Sequence, residues 1–147
     1  MSAYGFTVFC DDIRYEIGGK ISFMGIYGGE LVVFGEYPLT INKLMLAVYV
    51  MDIPEHHGDE IDIAVFMPGN VGSDPDYMSK YTLVADEPSE DSEKFGISRR
   101  AVASDLIQIG PITVTERGYI RVRAYHKGQE IKSGALEIRV QNEDEEG

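Results

Sequence analysis

The chain's only cysteine stands in the run Phe9-Cys10-Asp11-Asp12-Ile13-Arg14, a thiol followed at once by two carboxylates and a guanidinium. A nucleophilic thiolate needs a neighbouring cation or base to lower its pKa, and adjacent aspartates act in the opposite sense. Cys10 therefore reads as a small apolar side chain at the buried end of a first strand. Asp11 and Asp12 read as acceptors for backbone N–H groups at a turn, with Arg14 pairing one of them. The alternative chemistry of this motif is a carboxylate pair that ligates a metal. A second cluster is Asp52-Ile53-Pro54-Glu55-His56-His57-Gly58-Asp59-Glu60-Ile61-Asp62, where His56, His57 and Asp59 are weak candidates for a divalent metal. Adjacent histidines diverge unless the loop bends sharply, and the HExxH spacing is missing, so a solvated hairpin loop is the simpler expectation. A third is the series Tyr119, Arg121, Arg123 and Tyr125, next to a strand presenting Glu137 and Arg139. Tyr and Arg bring large contact area and directed hydrogen bonds, the chemistry of a partner-binding face. The competing expectation is a solvated sheet face with cross-strand Arg–Glu pairs.

The usual templates for catalysis are missing. GxSxG, P-loop and Rossmann glycine patterns do not occur, nor does EF-hand spacing, and the Gly-Gly pairs sit between strands as turns. No cofactor and no catalytic residue is implied.

The elements that position these residues must come from 147 residues, 44 % of them hydrophobic, which suits one domain over 1–142 with an acidic flexible tail at 143–147. A single cysteine forms no internal disulfide and favours a reducing compartment. The N-terminus lacks the basic and long apolar stretches of a signal peptide. The longest apolar run, Leu44 to Met51, falls far below the roughly 18 residues of a membrane helix. The expectation is a cytoplasmic protein that does not enter membranes. The formal charge is −12, but residues 86–94 and the tail each carry −4, leaving −4 for the rest. Direct nucleic-acid binding needs clustered Lys and Arg against phosphate, and Arg99-Arg100 is too small a patch. An acidic mimic of DNA needs its charge on a rigid face, which two flexible segments do not supply.

The dominant period is two. Ile61, Ile63, Val65 and Met67 alternate with Asp62, Ala64 and Phe66. Ile120, Val122 and Ala124 alternate with Arg121, Arg123 and Tyr125, and Leu136, Ile138 and Val140 with Glu137, Arg139 and Gln141. Each reads as a strand with one buried face. Leu44 to Met51 is apolar on both faces, as in a central strand covered on both sides or one holding the middle of a sandwich. Strands are expected near 4–10, 20–27, 30–34, 43–52, 60–67, 80–85, 105–109, 112–115, 119–126, 129–133 and 135–141. A helical turn is expected within 95–105. Gly18-Gly19 and Gly28-Gly29 offer the positive φ of tight turns, Lys127-Gly128 closes a hairpin, and Ser133-Gly134 marks a bulge or second turn. About eight to ten short strands with little helix point to an antiparallel β-sandwich, immunoglobulin-like or related, over a barrel.

The residues Phe9-Cys10-Asp11-Asp12-Ile13-Arg14, Glu16, Gly18-Gly19-Lys20, Gly25-Ile26-Tyr27 and Leu31 resemble the N-terminal motif of a family of uncharacterised bacterial and phage proteins, a domain of unknown function. The C-terminal hairpin is similar too: Glu116, Gly118-Tyr119, Val122, Gly128 and Leu136-Glu137-Ile138-Arg139-Val140, whereas 53–105 matches only in general character. The resemblance implies an all-β fold and a bacterial or phage source, and no activity. The functional expectation is a non-catalytic interaction module that binds a protein partner or itself as a homo-oligomer. The alternatives are a metal-dependent enzyme built on Asp11, Asp12, His56 and His57, and an acidic DNA-mimic inhibitor.

Overall fold

The computed structural model describes residues 3–141. The acidic tail expected over 143–147 lies outside them. The fold is all-β and sandwich-like, with two open five-stranded sheets. The first runs β2(Ile21–Ile26), β1(Tyr4–Tyr15), β5(Leu44–Asp52), β9(Ala101–Ile109), β8(Val84–Ala85). The second runs β3(Glu30–Phe34), β12(Gln129–Gln141), β11(Gly118–His126), β6(Glu60–Phe66), β7(Tyr77–Thr82). A small ribbon pairs β4(Leu39–Ile41) with β10(Ile112–Val114). All pairings are antiparallel except β3 with β12, which is parallel. Among the described residues no helix is long and apolar enough to cross a membrane.

The period-two segments form the facing layers. Leu44, Leu46, Val48 and Val50 of β5 meet Ile61, Ile63 and Val65 of β6, Ile120 and Val122 of β11, and Leu136 and Ile138 of β12, all at 0 % exposure. Burying such a side chain stabilises by about 1.5–3 kcal/mol, so this layer dominates the fold energetically. The two sheets approach each other closely at β1 and β12, where both strands carry small residues. Thr7 Oγ1 donates to the Ser133 carbonyl at 2.7 Å. A Cβ built on Gly5 would lie 2.3 Å from Ser133 Oγ. At the other edge the sheets are joined by side chains: Asp105, 5 % exposed on β9, accepts from Tyr81 at 2.5 Å, Ser79 at 2.8 Å and Tyr77 at 3.3 Å, all on β7. A buried carboxylate surrounded by hydroxyl donors replaces the backbone ladder that closure would have supplied. Beyond Val102 no strand of the described residues pairs with the outer edge of β9, because β8 meets only Ala101 and Val102.

Several local expectations change. The first strand continues past Cys10 to Tyr15, so Asp11 and Asp12 lie inside a strand and not at a turn. No helix occurs within 95–105. The helix is Glu90–Lys94, capped by the Ser89 side chain on the Ser92 N–H, while β9 begins at Ala101. Acidic residues in its first turn complement the N-terminal end of the helix dipole, which the charge count alone concealed. Segments 129–133 and 135–141 are one strand, bulged where Gly134 takes φ +129° and the β11–β12 register shifts between Arg121 and Arg123. Lys127 and Gly128, at φ 50° and 80°, close the β11–β12 hairpin as expected. Gly18 and Gly19 have positive φ, whereas Gly28 and Gly29 do not. The segment 80–85 is split between β7 and β8, and the short β4 was not anticipated.

Candidate functional site

Cys10 is 0 % exposed, on the side of the first sheet that faces away from the core. Burial pushes its thiol pKa up, and the charges of Asp11 and Asp12 add to that. Asp11 accepts a hydrogen bond from the Tyr27 hydroxyl. Asp12 accepts from Lys43 Nζ at 2.9 Å, from the Ile13 N–H at 3.0 Å and from Arg14 Nε at 3.4 Å. Lys43 above all holds the Asp12 carboxyl below its ordinary value. The anticipated pairing of Arg14 is present, yet both carboxylates are occupied by donors of this chain. They do not meet the histidines. Cys10 pairs with Met45 at one end of β5, and His56 follows Asp52 at the other. At about 3.3 Å per residue the two groups are separated by roughly 20 Å or more. The enzyme site proposed from Asp11, Asp12, His56 and His57 is therefore not assembled.

The outward residues of β11 and β12 form a network of internal pairs. Tyr119 Oη donates to Glu137 Oε2 at 2.7 Å, and Arg117 Nη2 donates to the same oxygen at 2.7 Å. Arg117 first, then Tyr119, hold the Glu137 carboxyl below its ordinary range. Arg139 pairs with Glu30 at 3.1 Å and Arg123 with Glu130 at 3.6 Å. Arg121 donates to the Asn70 carbonyl at 2.8 Å and lies 4.7 Å over the Phe66 ring. Arg121, Arg123 and Tyr125 line a shallow hollow with Ser73 and Glu130.

The expected solvated histidine loop takes a different form. Ile53 is extended and Pro54 starts a single 3-10 turn, Pro54–His56, which returns His56 toward the end of β5. His56 Nδ1 comes within 2.9 Å of Asp52 Oδ2, and His126 Nδ1 approaches the same oxygen at 3.3 Å. His126 Nε2 in turn bonds Asp59 Oδ2 at 2.8 Å, with Lys127 Nζ 3.3 Å from that oxygen. The two imidazole rings are 4.9 Å apart. Asp52 is 2 % exposed and its Oδ1 takes the Ile53 N–H at 2.7 Å. Burial opposes ionisation of Asp52, but His56, the Ile53 N–H and His126 outweigh it and keep its pKa low. His57 points elsewhere: its Nδ1 accepts the Ala85 N–H at 2.9 Å. The sequence reading had Asp52 in this cluster without naming it a ligand, and missed His126. The signal for both was parity, since Asp52 continues the inward series 44, 46, 48, 50 and His126 continues 120, 122, 124.

The other side of the first sheet carries the least expected surface. Register places Tyr4 beside Met51 and Val102, Phe6 beside Tyr49 and Ser104, Val8 beside Ala47 and Leu106, and Cys10 beside Met45 and Gln108. None of these twelve side chains is charged. Cys10, Ile13 and Ala47 form a buried cluster with Val8, Phe23, Met45, Tyr49 and Leu106 packed around it. Phe6 and Tyr49 stack with ring centroids 5.1 Å apart, and Phe6 remains 42 % exposed. The comparisons with protein-family models and with curated proteins returned no match for this chain. Its candidate sites are therefore assigned from geometry alone.

Proposed function

We propose that this chain is a non-catalytic interaction module that pairs with a second copy of itself through the outward face of its first sheet. The supporting observation is the uncharged grid on β1, β5 and β9. An antiparallel sheet face that stays in water normally alternates polar residues outward, and β5 departs from this with Met45, Ala47, Tyr49 and Met51. A contiguous apolar surface of this kind marks an interaction site. Three strands about 4.8 Å apart, each contributing about seven residues at about 3.3 Å, give a flat footprint of roughly 330 Å², the centre of an interface whose standard size is ~800 Å² per partner. Aromatic residues and methionine are enriched in such interfaces and charged residues depleted at their centre. The face of Tyr119, Arg121, Arg123, Tyr125 and Arg139 is the second place for a partner, and internal pairing of its polar groups makes it the less favoured one.

Sedimentation velocity over a wide concentration range tests the reading. The wild type is expected to dimerise, and Phe6→Lys and Tyr49→Glu to give folded monomers by circular dichroism. Arg121→Glu with Arg123→Glu should leave the dimer intact. A wild type that stays monomeric throughout, or a dimer lost only in the arginine double variant, overturns the assignment.

A further inference from the structure

We infer that Asp52, His56 and His126 form a binding site for a single divalent transition-metal ion of the zinc class, with Asp59 as the group that orients His126. This goes beyond the association surface and does not depend on it. The three side chains each offer one ligand atom, and those atoms lie within 4.8 Å of one another. A tetrahedral ion with bonds of about 2.0–2.1 Å holds its ligand atoms roughly 3.3 Å apart, which the Asp52–His126 separation of 3.3 Å already matches.

The polar bookkeeping of the cluster points to a ligand. Asp52 Oδ2 and His56 Nδ1 are both buried and neither has a hydrogen-bond partner, although they lie 2.9 Å apart. Their approach lacks hydrogen-bonding alignment. Asp52, with a side chain 3 % exposed, is an unpartnered carboxylate oxygen aimed between two imidazoles. Burying such an oxygen without a partner is costly, and a cation at that point satisfies it.

His126 supplies an independent argument. Its Nε2 lies 2.8 Å from Asp59 Oδ2; a neutral ring that donates there turns the Nδ1 lone pair toward the Asp52 carboxylate, whereas a doubly protonated ring would donate to both. Two lone pairs in opposition repel unless a positive centre lies between them. The arrangement of carboxylate, imidazole and open nitrogen is the one by which a second carboxylate fixes the tautomer of a metal-bound histidine. Lys127 Nζ lies 3.3 Å from the same Asp59 oxygen. Imidazole nitrogens with one carboxylate favour zinc, cobalt, nickel or copper over calcium and magnesium. The His56 side chain is 35 % exposed, so its ring reaches the surface while its Nδ1 stays buried. The bound ion would tie the end of β5 in one sheet to the end of β11 in the other.

The competing occupant is a proton shared between His126 and the two aspartates, and titration separates the two. Tag-free full-length protein, freed of metal by chelator, is titrated with Co²⁺ followed by visible absorption and with Zn²⁺ followed by calorimetry and thermal denaturation. The expected result is one equivalent bound, a cobalt d–d band, and a melting temperature raised by Zn²⁺. Affinity should fall as pH drops through the imidazole range, because protons compete for the ligand nitrogens. His56→Ala, at the exposed corner, should weaken binding at least tenfold while remaining folded. His126→Gln should abolish it, and His57→Ala should bind like wild type. No cobalt band and no Zn²⁺ heat at one equivalent overturns the site, as does a folded His56→Ala variant with wild-type affinity.

Discussion

At the scale of single residues, Asp105 is the side chain whose loss has the most to disturb. It is a carboxylate buried between the sheets, with Tyr77, Ser79 and Tyr81 pointing hydroxyls at it. Replacing it by Ala leaves those hydroxyls without their acceptor, at about 1 kcal/mol each. Asp105→Ala should therefore lose about 3 kcal/mol, a fall of roughly 6–12 °C in melting temperature for a chain of this size. The same contact makes the protein sensitive to alkali. Bonding to Asp105, with burial second, pushes the Tyr81 phenol up to about 12, and burial with the bond to Asp11 does the same for Tyr27. A folded-state value raised above the ordinary 10 means that the unfolded chain ionises first. The stabilisation is full below pH 10 and is lost as pH rises toward 12. Denaturant midpoints measured across that window should fall in the wild type and fall less in Tyr81→Phe. The residue-scale chemistry was only partly legible in the sequence. Buried Cys10 followed from its sharing a strand face with Phe6 and Val8, and its low reactivity from the two aspartates beside it. Asp105 gave no sign, because its partners lie 24 to 28 residues away on a strand of the other sheet.

At the scale of elements, the contact between β1 and β12 rests on small residues at the point of closest approach. A Cβ on Gly5 would meet Ser133 Oγ at 2.3 Å and Ser133 Cβ at 2.9 Å, and no flexible side chain is there to yield. Gly5→Val should destabilise by about 2 kcal/mol or more through overpacking, whereas the same change at Gly29, with nothing within 4 Å, should stay within about 0.5 kcal/mol. Chemical denaturation of the two variants provides the comparison. The strands themselves were legible wherever one face is buried and the other wet, as in Ile120, Val122 and Ala124 against Arg121, Arg123 and Tyr125. Periodicity failed at the ends. Phe9 and Cys10 are both buried, on opposite faces, so the alternation is lost just where β1 continues to Tyr15. The stretch around 90–105 misled because Ser89 and Ser92 cap a helix of five residues that carries no apolar stripe to detect. Asp52 and His126 were readable as inward-facing from their strands, but their meeting depends on how the sheets stack, which local pattern does not contain.

At the scale of the whole molecule, the apolar face proposed for association coexists with a formal charge of −12. On that proposal two copies would repel at long range and attract only on contact. Added salt screens the first and leaves the second, so dimerisation should tighten severalfold between about 20 and 300 mM salt. Weakening over the same range would mean that ion pairs carry the interface, and would redirect attention to the arginines of β11 and β12. The surface was foreshadowed by the run Leu44 to Met51, which breaks the polar-out rule without saying whether a helix, a loop or another molecule covers it.

The short β8 leaves its own signature in time. Beyond Val102 the outer edge of β9 pairs with no strand among the described residues, while its inner edge is paired with β5 along its whole length. In an antiparallel ladder the N–H groups of one strand point alternately to its two neighbours. Every second amide between Ala103 and Ile109 thus points away from β5. In deuterated water those amides should exchange quickly while the ones between them persist as long as the core itself, so that fast and slow protons alternate residue by residue along one strand.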